Sequence, residues 1–434
     1  MRKPTCLLVT VILLCSFSFA QKYSVIYNFE IASGPSSPVG NLVFDRKGNL
    51  YGVASSGGAN VNTNCSLGCG VVYQLSRNAD GSWDETDIYN FCSNLVDSQC
   101  DDGQTPSAGL VMDTKGNLYG TTAGGGAVPN CFYGKLNGCG TVFELSPPSI
   151  AGGAWAETIL YTFCKLPSEG VCRDGVGLFA QLAIDSAGNL YGTTAEGGTG
   201  QRSGPTAYGG TVFVLSNHSG VWQHTVLYNF CSLGQGSDCP DGSFPIAGVT
   251  LGPSGDLYGT TNYGGSADEG TVYKLSKSAN GATETVLYSF SSYPAYPQGI
   301  VSLDPTGSHL YSTLLGGGTS NGAAFQLNIE AGLIDIYPFD GVDGSQPEAG
   351  VLFEPKSGVF YGTTAHGGKF GLGALFQIDS NGKETVLYNF CARANCSDGF
   401  SPRSTLIADQ RGKLYGTTLF GGDIGSGVVF KLTP

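Results

Sequence analysis

The sequence predicts an all-β fold, a seven-bladed β-propeller whose last blade is completed by the N-terminal strand. Three observations carry this expectation. Three short strand-like segments each recur seven times along 434 residues. The 68 glycines far exceed the roughly 7% of an average chain and demand many turns. Apolar runs with helical spacing and caps are absent.

The first segment, Leu-Tyr-Gly, begins at Leu50, Leu118, Leu190, Leu257, Leu310, Phe360 and Leu414, with Ser312 replacing the glycine in the fifth copy. The second, Gly-Thr-Val-Phe-x-Leu, runs from Val71, Thr141, Thr211, Thr271, Ala323, Ala374 and Val428. The third, Thr-Val-Leu-Tyr-x-Phe, ends at Phe29, Phe91, Phe163, Phe230, Phe290, Phe339 and Phe390. With one further apolar run per copy, each repeat holds four strands, A to D, separated by Gly, Pro, Asn and Asp clusters. In the second repeat these are expected over Ser107 to Asp113, Asn117 to Thr122, Thr141 to Ser146 and Glu157 to Phe163. Four antiparallel strands repeated seven times read as propeller blades. The chain opens on a D strand, Tyr23 to Phe29, and ends on A, B and C strands with no D. Pairing the two ends completes one blade and removes exposed sheet edges.

The pattern Gly-Asn-Leu-Tyr-Gly-Thr-Thr-x-x-Gly-Gly, then Gly-Thr-Val-Phe-x-Leu and Thr-x-Leu-Tyr-x-Phe, resembles the gloeo/verruco (GloVer) tandem-repeat family. Asn117 to Gly125, Asn189 to Gly197 and Gly259 to Gly265 carry it best. The resemblance implies a bacterial exported repeat protein of uncharacterised activity, in a family whose members differ in their anchoring segment. This chain shows no such segment, and its fifth repeat departs at Thr313-Leu314.

Charged residues are only 13% and hydrophobic ones 41%, which suits a large core and excludes charge-driven disorder. A net charge of -13 disfavours nucleic acid as a partner. Residues 1–20 read as a signal peptide: Arg2 and Lys3, the apolar run Leu7 to Leu14, then Ser18 and Ala20 before a cut at Gln21. Residues 21–434 then form a single domain, periplasmic or extracellular, with no membrane insertion after cleavage; the sequence does not fix an oligomeric state.

Of 14 cysteines, Cys6 and Cys15 leave with the signal. The rest fall in couples inside single loops. Cys92 with Cys100, Cys164 with Cys172, Cys231 with Cys239 and Cys391 with Cys396 lie between D and the next A; Cys65 with Cys69 and Cys131 with Cys139 lie between B and C. In an exported chain this predicts disulfides within each loop; zinc ligation is the competing arrangement.

All six couples lie on the face built from B to C and D to A loops, which functional residues favour. On that face the residue before each Gly-Gly pair varies inside a constant frame: Ser56, Gly124, Glu196, Tyr263, Gly316, His366 and Phe420. Tyr263, Phe420, Phe132 and Tyr208 are candidates for stacking on sugar rings, with Glu196 and His366 as polar contacts. His218, His224 and His309 read as scattered loop residues of the opposite face. Asp102, Asp174, Asp241, Asp343 and Asp398, each in an Asp-Gly step before strand A, read as turn residues or as rim carboxylates. As rim carboxylates they would hold Ca²⁺ or act as an acid and base pair on a glycan. No catalytic residue is assigned, and no cofactor is expected beyond that Ca²⁺. The expected function is non-catalytic binding of a glycan or cell-surface polymer. The alternatives are a polysaccharide lyase or hydrolase, or a metal-dependent hydrolase, using the rim carboxylates, and a structural envelope component.

Overall fold

The structure is a computed structural model that describes residues 21–30, 34–63, 65–96, 99–128, 131–133, 136–150, 152–165, 167–168, 171–201, 208–234, 239–278 and 281–434. The signal segment expected over 1–20 lies outside them. The chain is all-β: seven antiparallel sheets form the blades of a propeller, and a single 3-10 turn, Ala394–Cys396, is the one helical element among the described residues. Among the described residues no helix is long and apolar enough to cross a membrane.

The first complete blade shows the plan: β2 (Pro35–Phe44), β3 (Leu50–Gly57), β4 (Val71–Arg77) and β5 (Trp83–Asn90), hydrogen-bonded in that order. The last sheet joins Ile407–Ala408, Leu414–Thr418 and Val428–Thr433 to β1 (Lys22–Asn28), with Tyr23 opposite Leu432 and Val25 opposite Phe430.

The repeated residues have identifiable tasks. In the B strand, Leu-Tyr-Gly is glycine-ended because the C-strand aromatic ring lies across it: a Cβ on Gly120 would stand 2.5 Å from Cζ of Phe143. The D-strand phenylalanine then meets the C-strand aromatic of the next blade edge-on, at 5.1 Å for Phe91 with Phe143 and 5.0 Å for Phe29 with Tyr73. The same contact recurs between the sixth and last blades, where Phe390 lies 5.2 Å from Phe430. These rings carry the hydrophobic core from blade to blade. The A to B turns are held by their aspartate: Asp113 accepts from the backbone of Lys115 at 2.8 Å and Asn117 at 2.9 Å, and from the phenol of Tyr119 at 3.2 Å.

A second device joins the blades. Just before strand A the chain enters the left-handed region at Thr105, Phe244, Tyr296, Gln346 and Ser401, each followed by proline. The N–H of that residue donates to a carbonyl of the preceding blade, as from Thr105 to Cys69 at 2.8 Å and from Phe244 to Gly209 at 2.8 Å. Its proline covers the glycine that starts the preceding C strand; a Cβ on Gly70 would stand 2.3 Å from Cδ of Pro106. Between the second and third blades Gly177 and Leu178 take the two places.

The structure departs from expectation in the A strands. In the second blade the ladder is split into Gln104–Pro106 and Val111–Met112 rather than running through Ser107 to Asp113. The innermost strands crowd the axis so closely that backbone meets backbone: a Cβ on Gly40 would stand 2.0 Å from the nitrogen of Gly109. His224 is also corrected. It lies in the D strand Val221–Asn229, not in a loop, and stacks on Tyr161 with ring centroids 4.3 Å apart. Burial pushes its pKa down to about 4. His218 ends the C strand Thr211–His218, and His309 opens the B strand His309–Gly316.

Candidate functional site

The looped face is organised by one backbone frame. The residues before Gly-Gly sit at the ends of the B strands and pair with the segment preceding strand A: Ser56 with Ser36, Gly124 with Gln104, Gly316 with Ala295. Glu196 pairs with Val176, Tyr263 with Ser243, His366 with Ser345 and Phe420 with Phe400. Fixed main chain therefore presents variable side chains. Glu196, Tyr263 and His366 are half-buried and Phe420 is exposed. Tyr208 pairs with Gln201. Phe132 lies in a two-residue strand, Phe132–Tyr133, that pairs with Leu136–Asn137; its side chain is outside the described set.

An aromatic run crosses from the fourth blade to the fifth. Tyr263 lies 5.8 Å from Phe244 and 5.6 Å from Tyr296, which in turn lies 6.1 Å from Tyr293. Tyr293 is 49% exposed and covers the backbone of Gly317 and Gly318. Its hydrogen bond with Tyr296, followed by burial, pushes the Tyr296 phenol up to about 12. Phe400 and Phe420 form a smaller pair, 5.4 Å apart, in the last blade. Phe244, Tyr296 and Phe400 were not singled out from the sequence. Phe244 and Tyr296 stand directly before a hook proline and Phe400 two places before one, a position that is not aromatic in the other repeats.

The axial channel narrows to a cavity of about 120 Å³, lined by the A segments of all the blades. Arg403 places a guanidinium nitrogen 3.1 Å from Oε2 of Glu348. Burial pushes the Glu348 carboxyl up, while Arg403 and then His366 pull it back. Glu348 and Arg403 each directly follow the hook proline, Pro347 and Pro402, of adjacent blades, and the packing of the last blade on the sixth brings them together.

The aspartates of the Asp-Gly steps hold the D to A loops. Asp102, Asp174, Asp241 and Asp398 are buried, between 0% and 4% exposed. Each fastens its D to A loop: Asp102 accepts from the phenol of Tyr89 at 2.7 Å and the N–H of Ser93 at 2.8 Å. Asp241 accepts from Tyr228 and the N–H of Ser232, both at 2.9 Å. Asp174 does the same with Tyr161 and Lys165, and Asp398 with Tyr388 and Ala392. Asp343 is half-buried and accepts from the N–H of Asp340 at 2.9 Å. One carboxylate oxygen of each buried aspartate accepts these N–H and O–H bonds, an arrangement for loop closure, while Oδ1 of Asp174 and of Asp241 is buried without a hydrogen-bond partner.

Missed altogether were the glutamates that begin the D-strand motif. Burial first, and then the neighbouring aspartate, pushes Glu157 up to about 7 beside Asp102 and Glu284 up to about 8 beside Asp241. Glu384 is likewise raised to about 8 by burial and Asp343. Its signal was present as the glutamate of Glu-Thr-Val-Leu-Tyr, but nothing in the sequence showed that the blade seam buries it.

The six cysteine couples are paired within their own loops: Cys65–Cys69, Cys92–Cys100, Cys131–Cys139, Cys164–Cys172, Cys231–Cys239 and Cys391–Cys396. In the first blade the B to C pair also packs on the D to A pair, with all four sulfurs within 4.8 Å of one another. Asn62 donates to Sγ of Cys92 and Cys100 at 3.2 and 2.9 Å. So many disulfides indicate an oxidising, exported location.

These features define a seven-bladed repeat propeller with one face stiffened by loop disulfides. The Gloeobacter/Verrucomicrobia repeat matches residues 14–201, 132–320 and 294–434, and the chain belongs to that family. Among solved structures it is similar to a polysaccharide lyase of the PL25 ulvan lyase family, at 11% identity over 91% of this chain and 94% of that one, TM-score 0.51. It is also similar to the Dos1 propeller, at 11% identity over 92% and 78%, TM-score 0.49. TolB from Acinetobacter baumannii matches at 12% identity over 72% and 58%, TM-score 0.40. At these identities the likeness is one of fold. No curated protein sequence matches the chain.

Proposed function

We propose that the protein is an exported, non-catalytic propeller that binds a glycan or cell-surface polymer on its looped face. The run Phe244, Tyr263, Tyr296 and Tyr293 carries this reading. Aromatic faces held on a rigid frame suit the apolar faces of sugar rings, and their polar edges suit hydroxyls. The loop-fastening bonds of the buried aspartates support binding over acid and base catalysis. A polysaccharide panel tests it, with binding and product release measured together. Tyr293→Ala and Tyr263→Ala should each weaken binding by about 1 kcal/mol or more without lowering the melting temperature. Steady release of product, lost by orders of magnitude in Glu196→Gln, would instead make the protein an enzyme.

A further inference from the structure

The opposite face, made of tight turns, holds a groove at the seam between the last and first blades. Two cavities of about 440 and 520 Å³ share Trp83, Lys413 and Lys431 and so run into each other. The lining is cationic in a chain whose net charge is -13. Turns and strand ends of the first blade bring Arg46, Lys47 and Arg77. The last blade brings Arg411, Lys413 and Lys431, and β1 adds Lys22.

None of these cations has a carboxylate within 4.0 Å among the described residues, where the ion pairs are Lys274 with Asp256, His309 with Asp304 and Arg403 with Glu348. The acids in the lining, Asp45 and Asp409, are engaged in their own turns. Asp45 accepts from the backbone of Lys47 and Asn49, and Asp409 from that of Arg411 and Lys413. Lys431 is half-buried, and its ammonium pKa is lowered by burial and then by Lys413, Arg77 and Lys22, with Asp409 pulling it back in part. Like charges gathered this closely repel one another, and an anion relieves that repulsion.

We propose that this groove binds the anionic substituents, sulfate or carboxylate, of an acidic polysaccharide. Guanidinium and ammonium groups take up such oxyanions, while the Trp83 indole at the junction supplies a face for a sugar ring. A nucleic-acid duplex carries charge along its whole length and would overlie the acidic remainder of the surface; a flexible chain is held at the groove alone. The groove is remote in the fold from the aromatic run and does not rest on the reading of the looped face.

The test is calorimetric titration with a sulfated dextran oligosaccharide and with an oligogalacturonate of the same length. Unsulfated dextran, single-stranded DNA and phosphatidylserine vesicles serve as comparisons. Binding of an acidic oligosaccharide is expected, weakening about tenfold or more as salt rises from about 50 to 200 mM. The tighter of the two identifies the substituent. Arg411→Glu with Lys413→Glu should cut affinity at least about tenfold, and Lys115→Glu, on the corresponding exposed turn of the second blade outside the groove, should leave it unchanged. If the first pair impairs folding, Arg46→Glu with Lys47→Glu, both on an exposed turn, makes the same test. The proposal is overturned if neither oligosaccharide binds, if the charge-reversed protein binds as well as the original, or if DNA or vesicles bind as tightly.

Discussion

The backbone N–H of Ser37 donates to the carbonyl of Ser426 at 3.0 Å, so the first blade hooks onto the last by the bond that joins blades elsewhere in the ring. Pro38 completes the hook by lying over Gly427, whose φ is +97° and whose missing Cβ would stand 2.6 Å from Cδ of that proline. Gly427→Ala should therefore cost about 2 to 4 kcal/mol through left-handed strain and the clash. Gly412→Ala, at φ +75° with nothing within 4 Å, should cost about 1 kcal/mol. Urea denaturation of both variants checks the contrast; equal losses would remove the hook from the account of ring stability.

The buried glutamates make stability depend on pH with a definite sign. Glu284 and Glu384 are raised to about 8 and Glu157 to about 7, so the folded chain holds their protons more tightly than the unfolded chain does. Their contribution is complete below the unfolded value near 4.3 and is lost as pH rises through 7 to 8. His224 has the opposite sense: held neutral with a pKa of about 4, it stabilises above its unfolded value near 6.5 and loses that contribution as pH falls toward 4. Melting temperature should fall by several degrees between about pH 6 and pH 9, and Glu284→Gln should flatten the fall. A melting profile that rises over that interval contradicts this assignment.

Removing β1, residues Lys22–Asn28, should leave Val428–Thr433 as an unpaired edge and uncover Phe430 and Tyr388, against which Tyr23 stacks at 5.5 and 3.8 Å. Self-association and a lower melting temperature should follow, read by light scattering and calorimetry. A monomer that melts unchanged shows that the ring does not need this strand.

Replacing Cys231 and Cys239 by serine opens a loop whose ends are eight residues apart. The expected loss is about 2.5 kcal/mol in the chain-entropy picture. Hydrogen exchange should rise first in residues 231–234 and 239–245, while the strands keep their protection. Uniform loss of protection would mean that the disulfide supports the sheet and not only the loop.

Blade number, strand order and loop disulfides were all legible in the sequence, because each repeats and each follows from a local pattern such as Leu-Tyr-Gly or two cysteines in one loop. Contacts between blades were not. Glu348 and Arg403 follow the hook proline of adjacent blades, but nothing in either segment shows that they pair, and Trp83 comes to line one groove with Lys431 only across the seam. The turn face looked plain because Asp45-Arg-Lys-Gly and Asp409-Gln-Arg-Gly read as turns, which they are. That their basic residues converge follows from the circular order of blades, not from either segment. The Asp-Gly steps read as turns, and Asp102 and Asp241 accept the bonds that fasten those loops; the tyrosine of the preceding D strand as donor was not visible in the segment itself.

Each disulfide closes inside one loop, and each proline hook reaches only the adjacent blade. Every repeat thus carries a fastener of its own, a disulfide, a hook or both, and rests on its immediate neighbours. A gene coding for such a chain can gain or lose a whole unit by recombination without leaving any cysteine or hook unmatched. The face a repeat presents can meanwhile change one residue at a time, since Tyr263, His366 and Phe420 occupy one frame position in different repeats. The architecture lets one face change what it presents while the ring stays the same.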